Sequence, residues 1–202
     1  MLAHPTRVKR KGETVMRADA RAKRAQIIAA AMEQYRTLPA SEVTMEGIAA
    51  DAGVGIATLY RHFPSRAALY NACAAVFLDQ IETLLDGTLD GFDADPSGRF
   101  EAFVWALVES GVGILATALA AEPSAAGGEV VVERRDAFMD KVQLLIDAAA
   151  PHGIIAPGQS PLQLATELIV ATRPLAAPLA ELFPDVRDRL VRHLMAGWRT
   201  TA

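Results

Sequence analysis

Three breaks govern how the first third of this chain can fold: Leu38-Pro39, Gly53-Val54-Gly55 and Pro64-Ser65. Proline and glycine end helices, so between the breaks stand two stretches, Met45 to Ala52 and Ile56 to Phe63. Each spans about two helical turns, too short to stay helical in isolation. They need a surface to pack on, and the preceding segment provides one. From Ala18 to Tyr35 the residues Ile27, Ile28, Ala31, Met32 and Tyr35 recur at three- and four-residue spacing, which predicts an amphipathic helix with Arg21, Lys23 and Arg24 on its wet side. Ile48, Ala49 and Ala52 form the inward face of the first short helix, and Leu59 and Phe63 that of the second. Two short helices joined by a glycine turn on a third helix form a helix-turn-helix.

The remainder also reads as helical. Alanine, the strongest helix former, occurs 39 times in 202 residues. Helical spacing predicts segments at Arg66 to Leu85, Arg99 to Ala121 with a break near Gly111-Val112-Gly113, Glu129 to Ala150, Leu162 to Thr172, Leu175 to Phe183 and Asp185 to Trp198. Loops are predicted at Asp86 to Ser97, Glu122 to Gly128 and Pro151 to Pro161. The fold class is therefore all-α.

Several function classes fail on composition. The longest apolar stretch, Gly111 to Ala121, is far below the ~20 residues that cross a bilayer, and no apolar core follows the basic N-terminal residues. A cytoplasmic protein without a membrane partner is expected. Cys73 is the single cysteine, so no intramolecular disulfide or CxxC motif is available, and its apolar neighbours make it a small buried hydrophobe. His4, His62, His152 and His193 are scattered, and no HExxH or ligand-spaced carboxylate pair occurs. No catalytic constellation, metal site or cofactor is predicted.

Charge is distributed unevenly. Residues 1–70 carry a net +5 and residues 71–202 a net −9. A basic first third suits a polyanion, and the helix-turn-helix lies within it. A recognition helix needs small or flat side chains where its backbone nears base edges, which Gly55, Ile56, Ala57 and Thr58 provide. Tyr60, Arg61 and His62 can grip phosphates, and Thr44 and Arg66, at helix starts, can fix the flanking ones. Ile56 and Ala57 offer methyl contacts, which predicts dependence on thymine methyl groups. Leu59 and Phe63 belong to the core.

The string TMEGIAADAGVGIATLYRHFPSRAALY resembles the signature of the TetR family of bacterial transcriptional regulators, above all in AGV, TLYRHF and the P-S-R-x-x-L that follows. The resemblance covers roughly residues 18–80. It implies DNA contacts at Thr58, Tyr60, His62 and Arg66 and a double-stranded DNA operator as partner. Two positions depart from the commoner pattern: Glu46 puts an acid where phosphate would repel it, and Gly47 weakens its helix.

The resemblance further implies three segments: a basic flexible arm at 1–17, a helix-turn-helix domain at 18–64, and a ligand-binding and dimerisation domain at 65–202. The function implied is that of a repressor released from a palindromic operator by a small-molecule effector. Candidates for the ligand pocket are Phe77, Phe103, Trp105, Leu107, Phe138 and Met139, with ordinary core packing as the alternative. Glu109 and Arg173 are the charges in the driest sequence surroundings, suited to anchor a polar ligand group or to form an interhelical ion pair. A homodimer interface is implied at Leu168 and Ile169 on one helix and at Leu190, Leu194 and Trp198 on the last, with packing within the chain's own core as the alternative.

Overall fold

The computed structural model describes residues 8–38, 42–120, 129–173, 175 and 177–199. It shows α1 (Val8–Thr37), α2 (Met45–Asp51), α3 (Ile56–His62), α4 (Arg66–Leu89), α5 (Pro96–Glu109), α6 (Val112–Ala120), α7 (Glu129–Ala149), α8 (Pro161–Ala171), α9 (Ala177–Leu182) and α10 (Val186–Gly197). Single 3-10 turns occupy Phe92–Ala94 and Ala150–His152, and no strand occurs among the described residues. The chain is all-α. It divides between Leu69 and Tyr70 into two compact units.

The first unit is built on one face of α1. Ile27, Ile28, Ala31, Met32 and Tyr35 are buried, as are Ile48 of α2 and Leu59 of α3. Burying a side chain the size of Leu59 is worth about 2 kcal/mol, more than a helix of seven residues gains from its own backbone. Thr44 caps α2 by accepting from the Gly47 amide at 3.0 Å. Gly53, at φ 64°, adopts the left-handed turn that separates α2 from α3.

One sequence expectation fails here. α1 begins at Val8, not at Ala18, so the flexible arm predicted over 1–17 is helical from Val8 onward, and residues 1–7 lie outside the described residues. The stretch lacks apolar periodicity because it has nothing to pack against: Met16 to Gln26 are exposed except for partly exposed Lys23. Helix-forming Arg, Lys, Glu and Ala, with an Asp19–Lys23 pair at 3.0 Å, continue α1 without a core.

The second unit packs α5 to α8 and α10 with the greater part of α4. α4 and α7 are tied in parallel register: Arg134 meets Asp79 at 2.7 Å and Glu82 at 3.1 Å, and Lys141 meets Asp86 at 2.8 Å. Hydrogen bonding to Asp79 holds the Arg134 guanidinium above its ordinary pKa. The predicted loop after Leu85 is largely ordered, since α4 continues to Leu89 and Phe92 is buried edge-on to His152. Asp95 caps α5 through the Gly98 amide at 3.0 Å. The predicted break between α5 and α6 falls at Ser110-Gly111, with Gly111 at φ 78°. The loop predicted at 122–128 lies outside the described residues.

Two glycines predict opposite outcomes. A Cβ on Gly113 would stand 2.7 Å from the Thr172 carbonyl carbon, where α6 closes on the end of α8, whereas one on Gly87 of α4 meets open space. Gly113→Ala is expected to destabilise the fold by about 1–3 kcal/mol, and Gly87→Ala to be neutral or to stabilise it by up to about 1 kcal/mol. Thermal unfolding of the two variants beside the parent checks both signs.

Candidate functional site

Two places concentrate the candidate residues, one in each unit. In the first, α3 turns Leu59 fully inward and leaves its other side open: Ile56 is 39% exposed and Tyr60 45%. Gly55, Ala57 and Arg61 are also exposed, and Thr58 and His62 partly so. No side chain caps the start of α3, so its first amides keep no side-chain partner at Gly55. The open side thus combines small groups at its N-terminal end with a phenol, a guanidinium and an imidazole further along.

Thr44 and Arg66 flank this helix. The Thr44 hydroxyl uses its oxygen to cap α2 and keeps its O–H as a donor. Arg66 is partly buried and donates from Nη1 to the Val43 carbonyl at 2.7 Å, holding the buried Val43 and with it the entry to α2. Gln34 of α1 donates to Asp51 of α2 at 2.6 Å, and Arg24 lies 5.0 Å over the Phe63 ring. Sequence reasoning missed these ties, although Gln34, beside Tyr35 on the inward face of α1, was the available signal. Glu46 is exposed and Gly47 half-buried against Gln34.

In the second unit, α4, α5, α7 and α8 enclose a cavity of about 300 Å³. Phe77, Phe103, Leu107, Phe138 and Met139 line it together with Phe100, Val104, Leu145 and Ile155. Phe100, Phe103, Val104 and Leu107 form one three- and four-spaced stripe, so the sequence contained the signal for Phe100 and Val104 as well.

Three pocket candidates lie elsewhere. Trp105 is turned away, with Arg192 stacked 5.6 Å from its ring and its Nε1 donating to Glu101 at 3.4 Å. Glu109 is exposed because α5 ends there, and Arg173 is exposed because α8 has already ended at Ala171. Neither charge is in dry surroundings; apolar neighbours in sequence did not become neighbours in space.

The interface candidates divide as well. Leu168 and Trp198 are buried within the chain and line the cavity with Ile169, so they serve the protomer's own core. Trp198 is fixed there by donation from Nε1 to Glu167 at 2.7 Å and edge-on contact with Phe100. Leu190 is exposed and Leu194 partly so, and α8 adds exposed Val170; Leu162, also exposed, stands at the cavity lining. Among the described residues no group of three or more His, Cys, Asp or Glu is placed to hold a metal ion, and no helix is long and apolar enough to cross a membrane.

Residues 27–73, which contain the whole α2–turn–α3 unit, match the family model of bacterial regulatory proteins, tetR family. Over these residues the chain is similar to that family. Solved structures extend the likeness beyond this domain. A TetR transcriptional regulator from Streptomyces coelicolor is 28% identical, with TM-score 0.58 over 89% of this chain and 99% of that one. A TetR transcription regulatory protein from Mycobacterium vanbaalenii is 26% identical, with TM-score 0.56 over 92% and 99%. The regulatory protein TetR from Rhodobacter sphaeroides shares the fold at 19% identity, with TM-score 0.63 over 85% and 96%. No curated protein matches the chain in sequence. The matched region thus presents α3 as its open helix.

The Arg66 contact yields a prediction about this domain. Arg66→Ala leaves the Val43 carbonyl without its donor and is expected to cost about 1–3 kcal/mol. Chemical denaturation should show the loss, and hydrogen exchange should localise it to the segment entering α2.

Proposed function

We propose that the chain is a transcriptional regulator, a repressor that binds a palindromic operator as a homodimer and is released by a small molecule held in the cavity of the second unit. The observation that carries the reading is the two-sidedness of α3: Leu59 anchors it while Ile56, Ala57, Tyr60 and Arg61 stand outward. In this reading Gly55, Ile56, Ala57 and Thr58 approach base edges, and Tyr60, Arg61 and His62 hold phosphates. Thr44 contributes its free O–H to a flanking phosphate. Arg66 acts chiefly by holding Val43 in place.

A homodimer follows from the same logic, because one helix-turn-helix reads only a half-site, and two-fold dimers read two half-sites ~34 Å apart. Exposed Leu162 and Val170 of α8 and Leu190 of α10 are apolar groups that a second copy would cover. Release by ligand is a population shift: the ligand favours a conformation whose recognition helices no longer match successive major grooves. α4 begins beside the DNA-binding residues at Arg66 and continues to cavity-lining Phe77 and Ile81, which makes it the element through which the two sites communicate.

Selection of DNA from a random pool by the purified full-length protein tests the proposal. A palindromic motif, two or four chains per site and affinity falling steeply with salt are expected. Failure to enrich any sequence at low salt, with folded protein, would contradict it. On the selected site, Arg61→Ala should weaken binding to all sequences and lower the salt slope by ~1. Ile56→Ala should instead change preference at one or two base pairs in each half-site, read by repeating the selection.

A further inference from the structure

We infer that the effector held in the cavity is a monoanionic amphiphile, a hydrocarbon chain ending in a carboxylate; the inference rests on the regulatory reading above. The lining excludes most other ligand classes. Of the residues around the cavity, few carry polar side-chain groups, and two of those are already engaged: the Thr166 hydroxyl donates to the Leu162 carbonyl at 2.7 Å and Trp198 Nε1 donates to Glu167 at 2.7 Å. A sugar, a nucleotide or a multiply charged molecule would lose its hydration there without gaining partners.

The sign of the head group follows from Arg135, the one charged residue on the lining among the described residues. No acidic side chain lines the cavity among the described residues, so a cationic amphiphile would find no counter-charge from them. Arg135 donates from Nε and Nη2 to Asp136 at 3.0 and 2.7 Å, but both side chains are more than half exposed and adjacent in the chain. Water screens such a pair, and a ligand carboxylate can share or replace it on the guanidinium fork.

The test is titration of the full chain, without DNA, with straight-chain carboxylates of six to sixteen carbons and with the matched alcohols, followed by calorimetry or by Trp198 fluorescence. Affinity should rise about fourfold per added methylene and level off once the chain exceeds the cavity. Each carboxylate should bind at least tenfold more tightly than its alcohol. Arg135→Gln should abolish that preference while leaving the step per methylene unchanged. Absence of saturable binding across the series, an affinity independent of length, or a carboxylate preference that survives in Arg135→Gln would each overturn the inference. Measuring DNA binding separately keeps the two readings distinguishable. Operator binding without carboxylate binding refutes the ligand class alone. Carboxylate binding that leaves operator affinity unchanged upholds the ligand class and refutes release by ligand.

Discussion

The burial of Leu59 is the contact on which the open side of α3 depends. α3 has seven residues, as does α2, and neither length sustains a helix in water. What keeps α3 helical is the apolar side it presses toward Ile48 and the stripe of α1 that ends at Tyr35, all buried. Once Leu59 and Phe63 are fixed inward, the 3.6-residue period turns Ala57, Tyr60 and Arg61 away from them, and Ile56, one turn before Leu59, stays exposed at the helix start. Thr44 at the start of α2, Gly53 in the turn and the Gln34–Asp51 bond then fix the angle at which that open side is presented.

The second unit solves a different problem with the same means. Its helices do not close completely, so that a cavity of about 300 Å³ persists where α4 to α8 meet. Charges brace two of them: Arg134 and Lys141 on α7 each reach an acidic residue on α4, seven residues apart on both helices. Apolar walls and an ionic brace have complementary effects. The walls suit an apolar ligand, and the exposed pairs set helix register at little energetic cost to sliding. In a regulator, such an arrangement lets an apolar ligand shift helices that are packed but not locked.

Much of this was legible in the chain. The breaks at Pro39, Gly53 and Pro64 and the stripe from Ile27 to Tyr35 specify three helices, because proline and glycine act locally and a buried stripe follows the helical period. Phe77, Phe103, Leu107, Phe138 and Met139 stand around the cavity because each lies on the inward stripe of its own helix. What could not be read was whatever depends on where a helix stops or on which helix lies opposite. Glu109 and Arg173 have apolar sequence neighbours but sit where α5 and α8 end, and helix ends face water. Trp105 is on the far side of the stripe that Phe103 and Leu107 share. Trp198 was read as surface for a partner, yet Phe100 and Glu167, distant in sequence, hold it inside. The helix from Met16 to Gln26 had no apolar pattern to betray it, since its side chains stay largely exposed.

Amide hydrogen exchange of the protein with and without its selected operator duplex tests the central claim most directly. The account predicts slowed exchange concentrated in α3 and at the start of α2, where amides near Gly55 and Thr44 would meet the DNA, with the cavity helices little changed in their centres. Unchanged exchange across Gly55 to His62 in a saturated complex, with protection appearing on another surface, would contradict it.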